Sequence, residues 1–113
     1  MQHVNNDKIN ELRFVLGDHY HNLLDTFFTN TGATLDKLNS LCDVRDQQRE
    51  EIVRLAHTLK GTTGNVGASA MYKYAQQLEK LARERDLSVM PELMTEMMNA
   101  FETFRSLVAR KAS

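Results

Sequence analysis

The chain has 113 residues, of which 42% are hydrophobic and 26% are charged, a composition typical of one compact domain with its own core. Its 14 Lys and Arg residues nearly balance 15 Asp and Glu residues, which argues against non-specific binding to nucleic acid. The single cysteine, Cys42, excludes an intramolecular disulfide, and no apolar run approaches the roughly 20 residues that span a bilayer. We therefore expect a cytoplasmic protein, or a soluble domain of a larger one, with no membrane insertion.

The first half of the chain has apolar residues at three- and four-residue steps, the spacing of amphipathic helices. A short helix is predicted over residues 7–16, because Gly17 is a typical helix stop. Asp18 is a candidate N-cap for a second helix, predicted over residues 18–42. Gly32 lies inside this second pattern and favours a bend, since a mid-helix glycine costs about 1 kcal/mol relative to alanine. We interpret the pattern as one helix.

Three further helices are predicted in the second half of the chain, over residues 46–63, 68–86 and 91–110. The segment 64–67, which contains two glycines, ends the first of them, and Pro91 lies in the first turn of the last, where proline is tolerated. Alternating runs of β-branched residues, which would indicate strands, are missing. The sequence therefore predicts an all-α fold, an antiparallel four-helix bundle with an additional short N-terminal helix, in a single domain over residues 1–113.

The third predicted helix has two distinct faces when its residues are placed at steps of about 100°. His57 points almost opposite Leu59, so we expect its imidazole at the surface. The residues predicted to face the core are Ile52, Leu55, Ala56, Leu59 and Thr63, and those that share the face of His57 are Val53, Lys60, Gly61 and Gly64. This exposed face is the candidate functional site.

Gly61 and Gly64 lie about one and two turns beyond His57 and leave no side chain beside the imidazole. A glycine inside a helix lowers its stability, and this favours a functional reason for the pair, the close approach of a partner to His57. In the alternative interpretation His57 is an ordinary surface residue and the glycines only end the helix. Gly61 argues against this alternative, because it precedes the helix end by about one turn and has no capping role there.

A motif around His57 resembles the signature of the histidine-containing phosphotransfer (HPt) domains of multistep two-component phosphorelays. The matching residues are His57, Leu59, Lys60 and Gly61, then Gly67-Ala68, Leu78-Glu79 and, nearer the N-terminus, Leu16-Gly17-Asp18 and Leu23-x-x-x-Phe27. The resemblance implies a helical bundle whose exposed histidine accepts a phosphoryl group from the aspartyl phosphate of one receiver domain and passes it to the aspartate of another. The sequence departs from the family pattern at Met71-Tyr72, where a leucine is more usual, and we expect only a packing consequence.

The resemblance also implies roles for individual residues. His57 is the phosphorylated residue, Lys60 is the cation beside it, and Glu79 faces the imidazole from the neighbouring helix. If Glu79 accepts a hydrogen bond from Nδ1–H of His57, the Nε2 atom presents its lone pair outward and carries the phosphoryl group. Gly61 then belongs to the surroundings of the phosphoryl group. The candidate residues for receiver docking are Val53 and Gly64.

Partners and cofactors follow from the same resemblance. The expected partners are the receiver domains of response regulators and a hybrid sensor histidine kinase, and the chain is expected to be a monomeric phosphoryl carrier. We expect no autokinase activity, because the sequence contains no glycine-rich ATP loop. We also expect no cofactor and no metal of its own, since no cluster of acidic residues lies near His57, and Mg²⁺ is expected to come from the receiver domain.

Two other functions fit a helical bundle. One is a non-catalytic helical module for protein interaction, and the other is a bundle that binds a metal or haem through some of its 4 His and 6 Met residues. The metal site is disfavoured because di-iron bundles use Glu-x-x-His pairs, whereas Arg54 stands three residues before His57. Met94, Met97 and Met98 lie in an apolar stripe, where methionine is a common core residue.

Overall fold

The computed structural model describes residues 2–112, in which five α-helices make up most of the chain and no strand occurs. The helices are α1 (Asn6–Leu16), α2 (Tyr20–Ser40), α3 (Arg49–Val66), α4 (Ser69–Arg83) and α5 (Met90–Ala112), with short 3-10 turns at Gly17–His19 and Cys42–Val44. The last four helices form a ring in which each packs against the next and α5 returns to α2, while α1 packs against α2 and α3. The predicted all-α bundle is confirmed.

The helix ends differ from the predicted ones by at most three residues. Helix α3 runs over Arg49–Val66 rather than 46–63, so Gly64 lies inside the helix and does not help to end it. The extra turn buries Val66 in the core, and the helix ends only at Gly67. Helix α4 ends at Arg83 instead of residue 86, and α2 ends at Ser40 instead of residue 42. Helix α2 is continuous through Gly32, as interpreted from its pattern.

The α3–α4 turn is tied to the N-terminal segment of the chain. The backbone N–H of Asn5 donates to the carbonyl of Gly67 at 2.8 Å, and the N–H of Ser69 donates to the carbonyl of His3 at 3.1 Å. Gly67 has φ +80°, and a Cβ atom there would lie 3.2 Å from the carbonyl oxygen of Asn5. Only glycine fits this close approach in the left-handed region without strain. The entry into α4 is therefore fixed relative to α3.

An aromatic cluster joins α2 to α5 on the opposite side of the bundle. The Phe27 and Phe104 rings meet edge to face with centroids 5.7 Å apart, and the neighbouring Phe28 and Phe101 rings meet in the same way with centroids 6.0 Å apart. The guanidinium of Arg105 lies 5.0 Å from the centroid of Phe28 and 4.9 Å from that of Phe101, within cation–π range. This cluster packs α2 against α5, and these two helices in turn contact α3 and α4, respectively.

Among the helices of residues 2–112, none has both the length and the continuous apolar character that a membrane crossing requires.

A strained residue lies two positions after the end of α4, and its replacement tests the fold. Arg85 has φ +60°, and its N–H donates to the carbonyl of Ala82 while the N–H of Asp86 donates to that of Leu81. A non-glycine residue in this region costs about 1 kcal/mol or more. We expect Arg85→Gly to raise the free energy of unfolding by about 0.5–1 kcal/mol in a denaturant titration, after the entropy gained by the unfolded chain is subtracted.

The neighbouring residue provides the control for this measurement. Glu84 has φ −82°, so Glu84→Gly relieves no strain and should lower the stability. Equal effects of the two substitutions would contradict the assignment of strain to Arg85.

Candidate functional site

His57 lies in the middle of α3 and points into solvent. Its side chain is 64% exposed, whereas all five residues predicted to face the core from this helix are buried: Ile52, Leu55, Ala56, Leu59 and Thr63. The helical geometry thus places the imidazole on the surface because the opposite face of the same helix is committed to the core. Both the exposed position of His57 and the core face of α3 are as predicted.

A buried carboxylate from α4 orients this imidazole. The side chain of Glu79 is 7% exposed, and its Oε2 atom lies 2.8 Å from Nδ1 of His57. Its Oε1 atom lies 2.7 Å from Nζ of Lys60, and Nη2 of Arg83 donates to Oε2 at 2.8 Å. Burying a carboxylate is costly unless it is paired and hydrogen-bonded, and here both oxygens have charged or polar partners.

These partners keep Glu79 ionised. The hydrogen bond from Lys60 lowers the pKa of the Glu79 carboxyl most, burial opposes this by raising it, and the hydrogen bonds from Arg83 and His57 lower it further, so that the pKa is about 2. An ionised carboxylate only accepts hydrogen bonds, so the proton in the contact with His57 belongs to Nδ1. In the neutral imidazole the lone pair is then on Nε2, the atom that faces away from Glu79.

The structure brings together three residues singled out in the sequence and adds a fourth. His57, Lys60 and Glu79 form one contact group, but Lys60 is 30% exposed and its ammonium is hydrogen-bonded to Glu79 rather than held free above the imidazole. Arg83 was not predicted. Its position four residues after Glu79 on a helix, the spacing that favours an ion pair, is the signal that could have identified it.

Because α3 and α4 pack antiparallel, residues of the two helices also lie next to each other on both sides of the His57–Glu79 contact. His57 lies against Glu79, and seven residues further along α3 Gly64 lies against Tyr72, which is seven residues earlier in α4. Four residues before His57, the half-buried Val53 lines a shallow recess together with Arg83. We call the surface formed by the half-buried Val53 and the exposed His57, Gly61, Gly64, Tyr72 and Arg83 the α3–α4 ridge.

The two glycines of the ridge have different surroundings. A Cβ atom at Gly61 would meet no other atom within 4 Å, so this position leaves open space on the solvent side of α3. A Cβ atom at Gly64 would lie 3.3 Å from Cδ2 of Tyr72, closer than ordinary van der Waals contact. The space at Gly61 is therefore free for a partner, whereas the space at Gly64 is occupied first by a ring of the same chain.

Within the described residues, no three or more His, Cys, Asp or Glu side chains are grouped so that they could hold a metal ion. The carboxylate nearest to His57, that of Glu79, is already bound to Lys60 and Arg83.

Comparisons with known proteins match this architecture. A model of the family described as Hpt domain matches residues 22–107. The crystal structure of histidine-containing phosphotransfer protein B (HptB) from Pseudomonas aeruginosa PAO1 superimposes with a TM-score of 0.89 and 29% sequence identity, over 96% of this chain and 93% of that one. Among curated protein sequences, none matches.

The depressed pKa of Glu79 predicts how stability depends on pH. A carboxyl group whose pKa is lower in the folded state stabilises the fold above its unfolded pKa, near 4.5, and this contribution is lost as the pH falls through the folded pKa of about 2. Glu79→Gln keeps the shape but removes the charge. We expect the variant to be less stable by on the order of 2 kcal/mol at pH 7, a difference that shrinks between pH 4.5 and 2.

Denaturant titrations at a series of pH values measure this difference. Glu102→Gln, which changes an exposed glutamate on α5, is the control and should leave the pH profile unchanged. A constant difference between wild type and Glu79→Gln from pH 7 to pH 2 would show that the Glu79 charge does not stabilise the fold.

Proposed function

The chain belongs to the Hpt domain family, and from this membership we propose that His57 is the residue that carries the phosphoryl group. Hpt proteins are phosphoryl carriers of two-component phosphorelays, and this chain is a histidine phosphotransfer protein. The observation that carries the assignment to His57 is the hydrogen bond of 2.8 Å between its Nδ1 atom and the buried carboxylate of Glu79. That contact leaves the nucleophilic lone pair of the neutral imidazole on Nε2, in a side chain that is 64% exposed.

The proposed reaction is an in-line transfer between nitrogen and oxygen. Nε2 of His57 attacks the phosphorus of a receiver aspartyl phosphate, the N–P bond forms, and the P–O bond to the aspartate breaks with its electron pair left on the carboxylate. The Nδ1 proton stays in place, so the phosphorylated imidazole carries a positive charge. Glu79 then lies 2.8 Å from that charge and stabilises it. The reverse reaction passes the group to a second receiver aspartate.

In this proposal Lys60 neutralises charge on the phosphoryl group, and Arg83 neutralises the charge of the Glu79 carboxylate. The side chain of Lys60 is flexible and partly exposed, so its ammonium can leave Glu79. It then binds an oxygen of the phosphoryl group on the adjacent imidazole. Arg83, whose two contacts of 2.8 and 3.3 Å both go to Glu79 Oε2, stays with the carboxylate. Glu79 therefore keeps a cationic partner before and after transfer.

The proposal extends to the source of Mg²⁺, the partners, the oligomeric state and the compartment. Mg²⁺ is supplied by the receiver domain in this proposal, and among the described residues no three or more His, Cys, Asp or Glu side chains are grouped so that they could hold a metal ion. The partners are response-regulator receivers and a hybrid sensor histidine kinase, and the chain itself has no autokinase activity. We further propose that it works as a monomer in the cytoplasm, a reducing compartment compatible with the buried free thiol of Cys42.

Labelling experiments test the assignment of His57 directly. Phosphorylated receiver domains with Mg²⁺ should label the wild-type chain, the label should be acid-labile and base-stable, and His57→Gln should take up none. His21→Gln, which changes an exposed histidine on α2, is the matched control and should be labelled at the wild-type rate. Label on the His57→Gln variant would show that another residue is the acceptor.

The open space at Gly61 predicts opposite effects on stability and on transfer. Leucine has a higher helix propensity than glycine and would meet no other atom near its Cβ, so Gly61→Leu should raise the free energy of unfolding by about 0.7 kcal/mol. The same side chain, about 40° around the helix from His57, should slow transfer from a receiver at least tenfold.

Thr62→Leu adds the same group to the next exposed position, about 140° from His57, and should leave the transfer rate unchanged. Stopped-flow or gel-based transfer assays give the rates. A Gly61→Leu variant that is labelled at the wild-type rate would mean that no partner comes close to this part of α3.

A further inference from the structure

Tyr72 is an exposed aromatic residue on the same surface as His57. Its side chain belongs to α4, seven residues before Glu79, and this separation returns to nearly the same face of a helix. The residue is 36% exposed, which makes it one of the few large apolar side chains of the described residues that reach solvent. From the sequence, only a packing role is expected for Tyr72.

The Tyr72 ring lies against α3 at Gly64. Cδ2 and Cε2 of Tyr72 lie 3.3 and 3.5 Å from the position that a Cβ of Gly64 would occupy, so the missing side chain is what lets the ring lie against the helix. Beside it is an open recess of about 310 Å³, with Asn5 and Lys73 among its lining residues. One side of the ring is thus fixed, and the recess next to it can admit a side chain from a partner.

The Tyr72 ring is close enough to His57 to contact a protein that docks over the imidazole. Seven residues of α-helix rise about 10.5 Å and rotate back to within about 20°, so Gly64 and the Tyr72 ring lie about 10 Å from His57 along the ridge. Weak signalling complexes bury up to about 600 Å² on each partner, equivalent to a disc of radius about 14 Å. An interface of this size that is centred on His57 includes Tyr72.

We propose that Tyr72 is a receiver-docking residue, whose ring contacts the receiver domain while the receiver aspartate reacts at His57. The inference rests on the proposed function, because only a partner centred on His57 makes the ridge one continuous interface. Aromatic side chains with few rotatable bonds contribute strongly to such interfaces. Gly64 then acts through Tyr72, by letting the ring take its position, and not by leaving space for the receiver itself.

The test separates binding from chemistry. Tyr72→Ala, Tyr72→Phe and the control Tyr74→Ala are phosphorylated by the receiver that labels wild-type His57 fastest among those of the source organism, over a range of receiver concentrations. Tyr74 is the tyrosine two positions along α4, where its hydroxyl faces Glu96 of α5 at 3.5 Å. We expect Tyr72→Ala to raise the receiver concentration for half-maximal rate roughly tenfold with the saturating rate unchanged, and Tyr72→Phe and Tyr74→Ala to match the wild type.

The outcomes distinguish this inference from the proposed function. If no receiver labels wild-type His57, the proposed function is wrong, and the docking role falls with it. If His57 is labelled and Tyr72→Ala has the wild-type half-maximal concentration, only the docking role is overturned. Should Tyr72→Ala fail to fold by circular dichroism, Tyr72→Leu keeps an apolar contact with Gly64 and is measured instead, with the same expected increase.

A double-substitution experiment tests the link to Gly64. Gly64→Ala should raise the half-maximal receiver concentration severalfold in the wild type, because its methyl group displaces the Tyr72 ring. In the Tyr72→Ala background the same substitution should have no further effect. Equal effects in both backgrounds would show that Gly64 contacts the receiver directly and would overturn its assignment as a positioning residue for Tyr72.

Discussion

The buried carboxylate of Glu79 is the constraint on which the rest of the site depends. An ionised group that is only 7% exposed is stable in the fold only if its oxygens remain paired, and its partners come from two helices: His57 and Lys60 from α3, and Arg83 from its own helix. Any slip of α4 along α3 by one turn, about 5.4 Å, would break the contacts of Glu79 with His57 and Lys60, while the contact with Arg83 on the same helix would remain. The contacts of Glu79 with His57 and Lys60 therefore favour this register of the helix pair, and the contact with His57 also orients the imidazole.

That register accounts for the layout of the exposed surface. Because α3 and α4 are antiparallel, the pairing of His57 with Glu79 places Gly64 against Tyr72 and brings Val53 close to Arg83. The close tie between the N-terminal segment and Gly67 supports the same arrangement from the end of the helix pair. Under the proposed function, this support orders the ridge around His57 before a partner binds, which lowers the ordering cost of a transient encounter.

Helical periodicity was sufficient to predict the bundle and the outward position of His57, because burial of one face of α3 determines what lies on the other. The motif was sufficient to predict which carboxylate meets the imidazole. The end of α3 was not predictable from glycine content alone, since Gly64 and Gly67 look alike in sequence while only Gly67 adopts a left-handed φ. The Gly64–Tyr72 contact was also missed, because it depends on the register between two helices and not on the spacing within one.

Charge balance explains why a glutamate, rather than a neutral amide, suits this site in the proposed transfer. Before transfer the Glu79 carboxylate is matched by Lys60 and Arg83. After transfer the imidazole is positively charged and the phosphoryl group negatively charged, so Lys60 can turn to the phosphoryl oxygens while Glu79 keeps Arg83 and gains a charged hydrogen-bond donor at Nδ1. The buried carboxylate is compensated in both states, and only the flexible side chain of Lys60 has to move. A protein that accepts a phosphoryl group and passes it on needs phosphorylated and unphosphorylated states of similar free energy. A site that requires no rearrangement of the backbone favours this similarity.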